Sequence, residues 1–108
     1  MKNIIISAVL FAAAGSSAFA QEKSKRELKG DKYSFNYSFD KAIDAYSHTK
    51  KLTPEGQRKL AEGYHNLDQD EKAEIAYAKL INDGNGVIAE DHYSYAMVLK
   101  ANGKYAEA

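Results

Sequence analysis

The sequence predicts an all-α fold, a stack of short helical hairpins standing behind an export leader. Three observations predict it. After Gln21, apolar residues recur at spacings of three and four between short turn signals, which puts them on single helix faces. Proline occurs once, at Pro54, β-branched runs are absent after the leader, and the helix-favouring Ala, Leu, Glu and Lys are frequent. Three alanines, Ala42, Ala73 and Ala108, follow one another at 31 and then 35 residues, so one helical unit repeats.

The leader reads from residue 1. Met1-Lys2-Asn3 is a short, positively charged start, and Ile4 to Ala14 is apolar apart from Ser7. Eleven residues is the length of a signal peptide's apolar region, and well short of the roughly 20 that span a bilayer. Gly15-Ser16-Ser17 breaks the helix, and Ala18-Phe19-Ala20 puts small residues at both places a signal peptidase requires. The expected cut lies between Ala20 and Gln21, giving a signal peptide of residues 1–20 and a repeat domain of residues 21–108. A buried N-terminal helix would not combine a lone lysine, an apolar block and an A-x-A end in that order.

Composition narrows the function. Lys2 is the only charged residue before Glu22, so the part after the cut carries one more acid than base. That balance offers no basic stripe for nucleic acid. No second apolar segment follows the leader, so the mature chain is expected to be soluble in the exported compartment. Cysteine is absent, which removes disulfides, thiol nucleophiles, thiolate metal ligands and the acylated cysteine of a bacterial lipoprotein. The core must therefore come from packed helices.

The elements follow in order. Gln21 to Lys32 is charged, led by Lys23, Lys25 and Arg26, with a frayed start. Asp40 can cap a helix carrying Ala42, Ile43 and Tyr46, which should end near Lys50 or Lys51. Thr53-Pro54-Glu55 is a strong helix start, with a capping hydroxyl, a proline for the first turn and an acid for the positive dipole end. Leu60, Ala61, Tyr64 and Leu67 share a face of that helix. Asp68-Gln69-Asp70 is a turn with Asp70 available as a cap, and Ala73, Ile75, Ala76, Tyr77 and Leu80 form the next helix. Asn82 to Gly86 ends it, since glycine and asparagine tolerate left-handed geometry. A further helix spans about Ala89 to Ala101, Asn102-Gly103 turns, and Lys104 to Ala108 opens another helix.

Within this series a small residue precedes an apolar one by three: Gly30 and Tyr33, Ala61 and Tyr64, Ala96 and Leu99. The second helices carry Ala42 and Ala73, each with an aromatic four positions on, Tyr46 and Tyr77. With Phe39, Pro54, Tyr95, Gly103 and Tyr105 at fitting places, the pattern resembles the tetratricopeptide repeat. The resemblance implies hairpins stacked as a right-handed superhelix, in units of about 23–53, 54–88 and 89–108, the last cut short. Arg26 and Lys29 depart from it, standing where apolar residues are usual, and the second unit has Asp70 and Glu71 at its turn in place of glycine. A leader followed at once by such units, with Gly30-Asp31 to Tyr33, Lys41-Ala42 to Tyr46 and Lys72-Ala73-Glu74 to Leu80, also resembles the N-terminal region of OmpA-family outer-membrane-associated proteins of Bacteroidetes-type bacteria. That resemblance implies an exported chain, periplasmic or attached to the outer membrane, and a native protein longer than this sequence is expected because Ala108 stands only a few residues into the last expected helix.

Catalytic and metal chemistry find little support. His48, His65 and His92 lack metal-ligand spacing, and Asp91 and His92 are helical neighbours that do not face one another. A calcium loop set on Gly86 would put Ile81 and His92 where acids are required, and Gly84-Asn85-Gly86 lacks the rest of a phosphate loop. No enzyme, metal or cofactor is expected. Tyr33, Tyr46, Tyr64, Tyr77 and Tyr105 occupy packing positions, and Tyr37 fits either role.

The expected function is a protein-interaction scaffold in the bacterial envelope, binding a protein or peptide on the concave face lined by the first helices. The alternative is a structural spacer or assembly module without a ligand of its own. The candidate partner-binding residues lie off the packing stripe: Arg58, Glu62, His65 and Asn66 in the second unit, and Tyr93, Met97 and Lys100 in the third. Tyr93 is the expected anchor, because tyrosine and arginine are enriched among dominant interface contacts.

Overall fold

Start and stop signals in the sequence divide the described residues into five helices. The computed structural model describes residues 22–104 and 108, with α1 at Lys25–Phe35, α2 at Phe39–Ser47, α3 at Pro54–Asn66, α4 at Asp70–Asp83 and α5 at Ala89–Ala101. The leader and its cleavage site fall outside the described residues, as do positions 105–107, with Tyr105, of the helix expected to open at Lys104; Lys104 and Ala108 are described and lie outside any helix. No helix among the described residues is long and apolar enough to cross a membrane.

The helix starts differ in how they are made. Ser24 caps α1 by accepting the Glu27 N–H, and Thr53 caps α3 by accepting the Gly56 N–H with Pro54 in the first turn, as expected. Asp40 and Asp70 are not caps. Ser38 and Gln69 hold those positions without a side-chain hydrogen bond, and the two acids lie in the first turns of α2 and α4, where they favour the positive dipole end. The physical reason is the turn before each helix. Three residues bring the chain round, and backbone bonds fix the start without a side chain. The second helix also ends earlier than expected, at Ser47, where His48 and Thr49 N–H groups already bond back to Asp44 and Tyr46.

Helices α1, α3 and α5 finish in one shared motif. Tyr37, Asp68 and Gly103 adopt left-handed backbone, with φ of 58°, 58° and 79°. The next N–H donates back to a carbonyl five residues earlier: Ser38 to Tyr33 at 2.9 Å, Gln69 to Tyr64 at 2.8 Å and Lys104 to Leu99 at 2.8 Å. These positions are spaced by 31 and 35 residues, the same spacing that relates Gly30, Ala61 and Ala96. The repeat is thus present in the backbone as well as in the residue pattern.

Packing runs between neighbours: α1 on α2, α2 on α3, α3 on α4 and α4 on α5, with α1 also against α3. Among the described residues the outer helices α1 and α5 form no such packed pair, so the five helices pack mostly on their neighbours in sequence. Small residues permit the close approaches. Gly30, in α1, faces the ring of Tyr46, and a Cβ there would lie 2.5 Å from Cε1. Ala42 and Tyr46 are buried in the first hairpin, and Ala61, Ala73, Ala76, Tyr77, Leu80 and Val98 form the main core, joined by partly buried Tyr64 and Tyr95. Each large side chain here contributes about 1.5–3 kcal/mol by leaving water. Ile75 does not belong to this core. It is 71% exposed, because the α4 face that meets its neighbours is set by Ala73, Ala76, Tyr77 and Leu80. Tyr33 and Ala96 are only partly buried.

Two buried carboxylates, Glu27 and Asp91, tie successive units together. Glu27 of α1 is fully buried; its Oε1 accepts the Thr53 N–H at 2.9 Å, and its Oε2 accepts the Thr53 hydroxyl proton. In the next unit Arg58 reaches from α3 to the start of α5. Its Nε donates to Asp91 Oδ1 at 2.6 Å, and its Nη2 to Asp91 Oδ2 and the Gly86 carbonyl at 2.8 Å each. Glu27 and Arg58 are 31 residues apart, so the same repeat position hooks each unit to the helix start of the next. The connection between α4 and α5 folds back onto α3: Gly86, at φ 69°, leaves no room for a Cβ, which would sit 2.7 Å from Pro54.

Candidate interaction surface

The repeat leaves two grooves on one side of the molecule. The first, about 600 Å³, lies between α1, the turn after it, and α3. Its walls include Asp31, Phe35, Tyr37 and Phe39 from the first hairpin, and Lys59, Glu62 and Asn66 from α3. The second, about 230 Å³, lies one unit further on, between α3 and α5 over Tyr77, with His65, Tyr93, Ser94 and Met97 at its sides. The grooves correspond through the repeat. Ser34 and His65 are 31 apart, and Glu62 and Met97 are 35 apart, one of each pair in each groove.

Aromatic rings dominate the first groove. Phe35 is 84% exposed and Tyr37 80% exposed, and the Tyr37 ring meets Phe39 edge-on with centroids 6.0 Å apart. Tyr37 occupies the left-handed position that its counterparts fill with Asp68 and Gly103. For a bulky side chain that backbone costs about 1–2 kcal/mol, and the exposed ring recovers little of it by burial. Asp31, on the wall of this groove, is held from behind by charge. Lys23 bonds to Asp31 at 2.7 Å and Glu55 at 2.5 Å, so its ammonium holds its proton well above the ordinary lysine range. Glu62 is open to solvent at its surface. Protein crowding its carboxyl nevertheless pushes it above the usual carboxylate value, with Arg58 pulling it down and Glu90 pushing it up.

The seven residues named from the sequence separate into four groups. Glu62 and Asn66 line the first groove, and His65, Tyr93 and Met97 the second. Tyr93 is 68% exposed and Met97 44%, off the packed face of α5 as expected. His65 holds the start of α4 through Asp70, with Nδ1 2.6 Å from the carboxylate. Arg58 is occupied by Asp91, which is itself buried, so its guanidinium serves the join between units. Lys100 is exposed on the last turn of α5 and lines neither groove. The aromatic group at the first turn is not among the candidate partner-binding residues, with Phe39 expected in packing and Tyr37 in either role. Its signal is Phe35, Tyr37 and Phe39 alternating through the stop of one helix and the start of the next, with Phe35 and Tyr37 required by no apolar face.

Among the described residues no group of three or more His, Asp or Glu side chains is placed to hold a metal ion. His48 lies 3.5 Å from Asp44 on the opposite side of the first hairpin, within a polar surface that also includes Arg26 and Lys29. These two cations sit where the pattern expects apolar residues because that face of the hairpin meets solvent. Comparison with known protein families, with curated proteins and with solved structures yields no match to this chain.

Proposed function

We propose that the chain is a tetratricopeptide-type scaffold, its hairpins stacked as a right-handed superhelix, which binds a protein or peptide partner along the two grooves. The observation that carries this reading is Tyr37, a large exposed aromatic held in left-handed backbone at the mouth of an aromatic groove. The left-handed backbone itself belongs to the helix stop that Asp68 and Gly103 repeat, so what folding leaves unexplained is an exposed tyrosine where glycine would cost less. Exposed aromatic clusters are the parts of a surface that protein partners cover. The helix ends repeated at Tyr37, Asp68 and Gly103 support the repeat identity, and the leader supports an exported location in the periplasm or at the outer membrane, as in OmpA-family proteins.

The test is a pair of substitutions in the full chain. Tyr37→Gly should raise stability by about 1 kcal/mol, because glycine accepts the left-handed position freely. Phe35→Ala combined with Tyr37→Gly should weaken capture of the partner from envelope extract at least tenfold, about 1.4 kcal/mol. Equal capture by the double variant would remove the groove from the account, and a chain that captures nothing at micromolar concentration would favour a spacer.

A further inference from the structure

We propose that the cleft between α2 and α4, on the side of α3 away from the grooves, is a second binding site, which takes an acidic peptide segment carrying a bulky apolar residue between two carboxylates three residues apart.

The position of the cleft follows from helix geometry. Lys59, Glu62 and Asn66 of α3 face the first groove, while Gln57, Leu60 and Tyr64 face this cleft. At 3.6 residues per turn the two sets point to opposite sides of the helix. The cleft holds about 440 Å³, within the range of small-ligand pockets. Leu52, Leu60 and Tyr64 give it an apolar floor, and Ile75 stands at its edge, 71% exposed. The repeat does not require an apolar residue there. The equivalent place 31 residues earlier, on α2, is Asp44.

Charge selects the occupant. Lys50, Lys72 and Lys79 surround the cleft, and no acidic side chain lines it. The ion pairs among the described residues involve none of these three, and Lys72 instead lies over the Tyr64 ring, 6.0 Å from its centroid. The nearby Glu74 is bound to Asn102 and Lys104. In a chain with balanced charge, three cations around an apolar floor are a local excess that calls for carboxylates beside an apolar group.

Spacing favours a peptide over a lipid. Lys72 and Lys79 are seven residues apart on α4, about 10.5 Å along its axis. In a polyproline-type segment, side chains three residues apart project from the same side at about 9 Å. Two acids in an acid-x-x-acid series can therefore meet both lysines while an apolar residue between them enters the cleft. A single lipid headgroup concentrates its charge in one place and cannot serve both.

The experiment uses the full chain and the labelled peptide acetyl-Gly-Glu-Leu-Ser-Glu-Gly, read by fluorescence polarisation and by amide chemical shifts. The expected result is saturable binding with shifts concentrated at Leu52, Leu60 and Ile75. Replacing the peptide's leucine by serine, or both glutamates by glutamine, should weaken binding at least tenfold. Lys72→Glu with Lys79→Glu should do the same with an unchanged helical circular-dichroism signal, and Phe35→Ala with Tyr37→Gly should leave this binding intact. The proposal is overturned if the peptide produces no shifts in the cleft at about 1 mM. It is equally overturned if the glutamine peptide binds as well, or if phosphatidylglycerol–phosphatidylcholine vesicles occupy the cleft and the peptide does not compete.

Discussion

Tyr77 and Tyr93 carry the same side chain in opposite circumstances. Tyr77 is 2% exposed, and burial pushes its pKa up to about 12. Tyr93 stands 68% exposed at the side of the second groove. Tyr77→Ala should cost about 3–5 kcal/mol, the loss of a core aromatic with its cavity. Tyr93→Ala should stay within about 0.5 kcal/mol. Urea titrations followed by circular dichroism measure both, and a comparable loss from the two would mean that α5 is packed the other way round. The tyrosine contrast was legible in the sequence because spacing alone places Tyr77 beside Ala73 and Tyr93 off the line of Ala96 and Leu99. Ile75 was not. Its neighbours Ala76 and Tyr77 complete the buried arc, and a run of apolar residues does not say which of them lies at its margin. Glu27 and Arg58 were illegible as structural residues for the opposite reason. Acids and arginines are almost never buried unless paired, and the partners, Thr53 and Asp91, lie 26 and 33 residues further along the chain.

At the scale of helices, the joins between units make a pH-dependent prediction. Arg58 hydrogen bonds hold the Asp91 carboxyl below its ordinary value of 3.8, against the opposing effect of burial, and the Ile88 N–H adds a further bond. The folded value is thus lower than the unfolded one. Stability from the pair is complete above about pH 4 and is lost as pH falls through the folded value. Melting temperature should therefore be level from neutral pH to about 5 and drop below 4, with Glu55, held down by Lys23, contributing in the same direction. Arg58→Gln should cost about 3 kcal/mol at neutral pH by leaving the buried carboxylate unpaired, and should make the acid drop shallower. A variant as stable as the parent at pH 7 would show that the join carries no energy. The start of α3 could be read from Thr53-Pro54-Glu55 because a side chain makes it. The starts of α2 and α4 could not, because left-handed residues at Tyr37 and Asp68 and their backbone bonds set them, and tyrosine announces no such geometry.

Across the whole molecule the 31- and 35-residue register connects what the separate residues do. It relates the helix ends, the small-residue contacts, the hooks at Glu27 and Arg58, and the two grooves. Tyr93 holds the position of those hooks in the third unit, and in these described residues its ring faces solvent. The order of the described helices and their 31- and 35-residue register were readable from alanine and tyrosine spacing, since a hairpin this short must stack to bury its apolar face. The surface was read less well. Five of the seven named residues do line a groove, but the larger aromatic contribution comes from Phe35, Tyr37 and Phe39, in a turn that periodicity does not cover. The central claim is that a partner chain lies along these grooves in the envelope, and site-specific photo-crosslinking in intact cells tests it most directly. A benzoylphenylalanine at position 37 or 97 should give the same discrete cross-linked species, while one at position 44, exposed on the far side of the first hairpin, should give none. Cross-links from position 44 alone, or from no position, would contradict the claim.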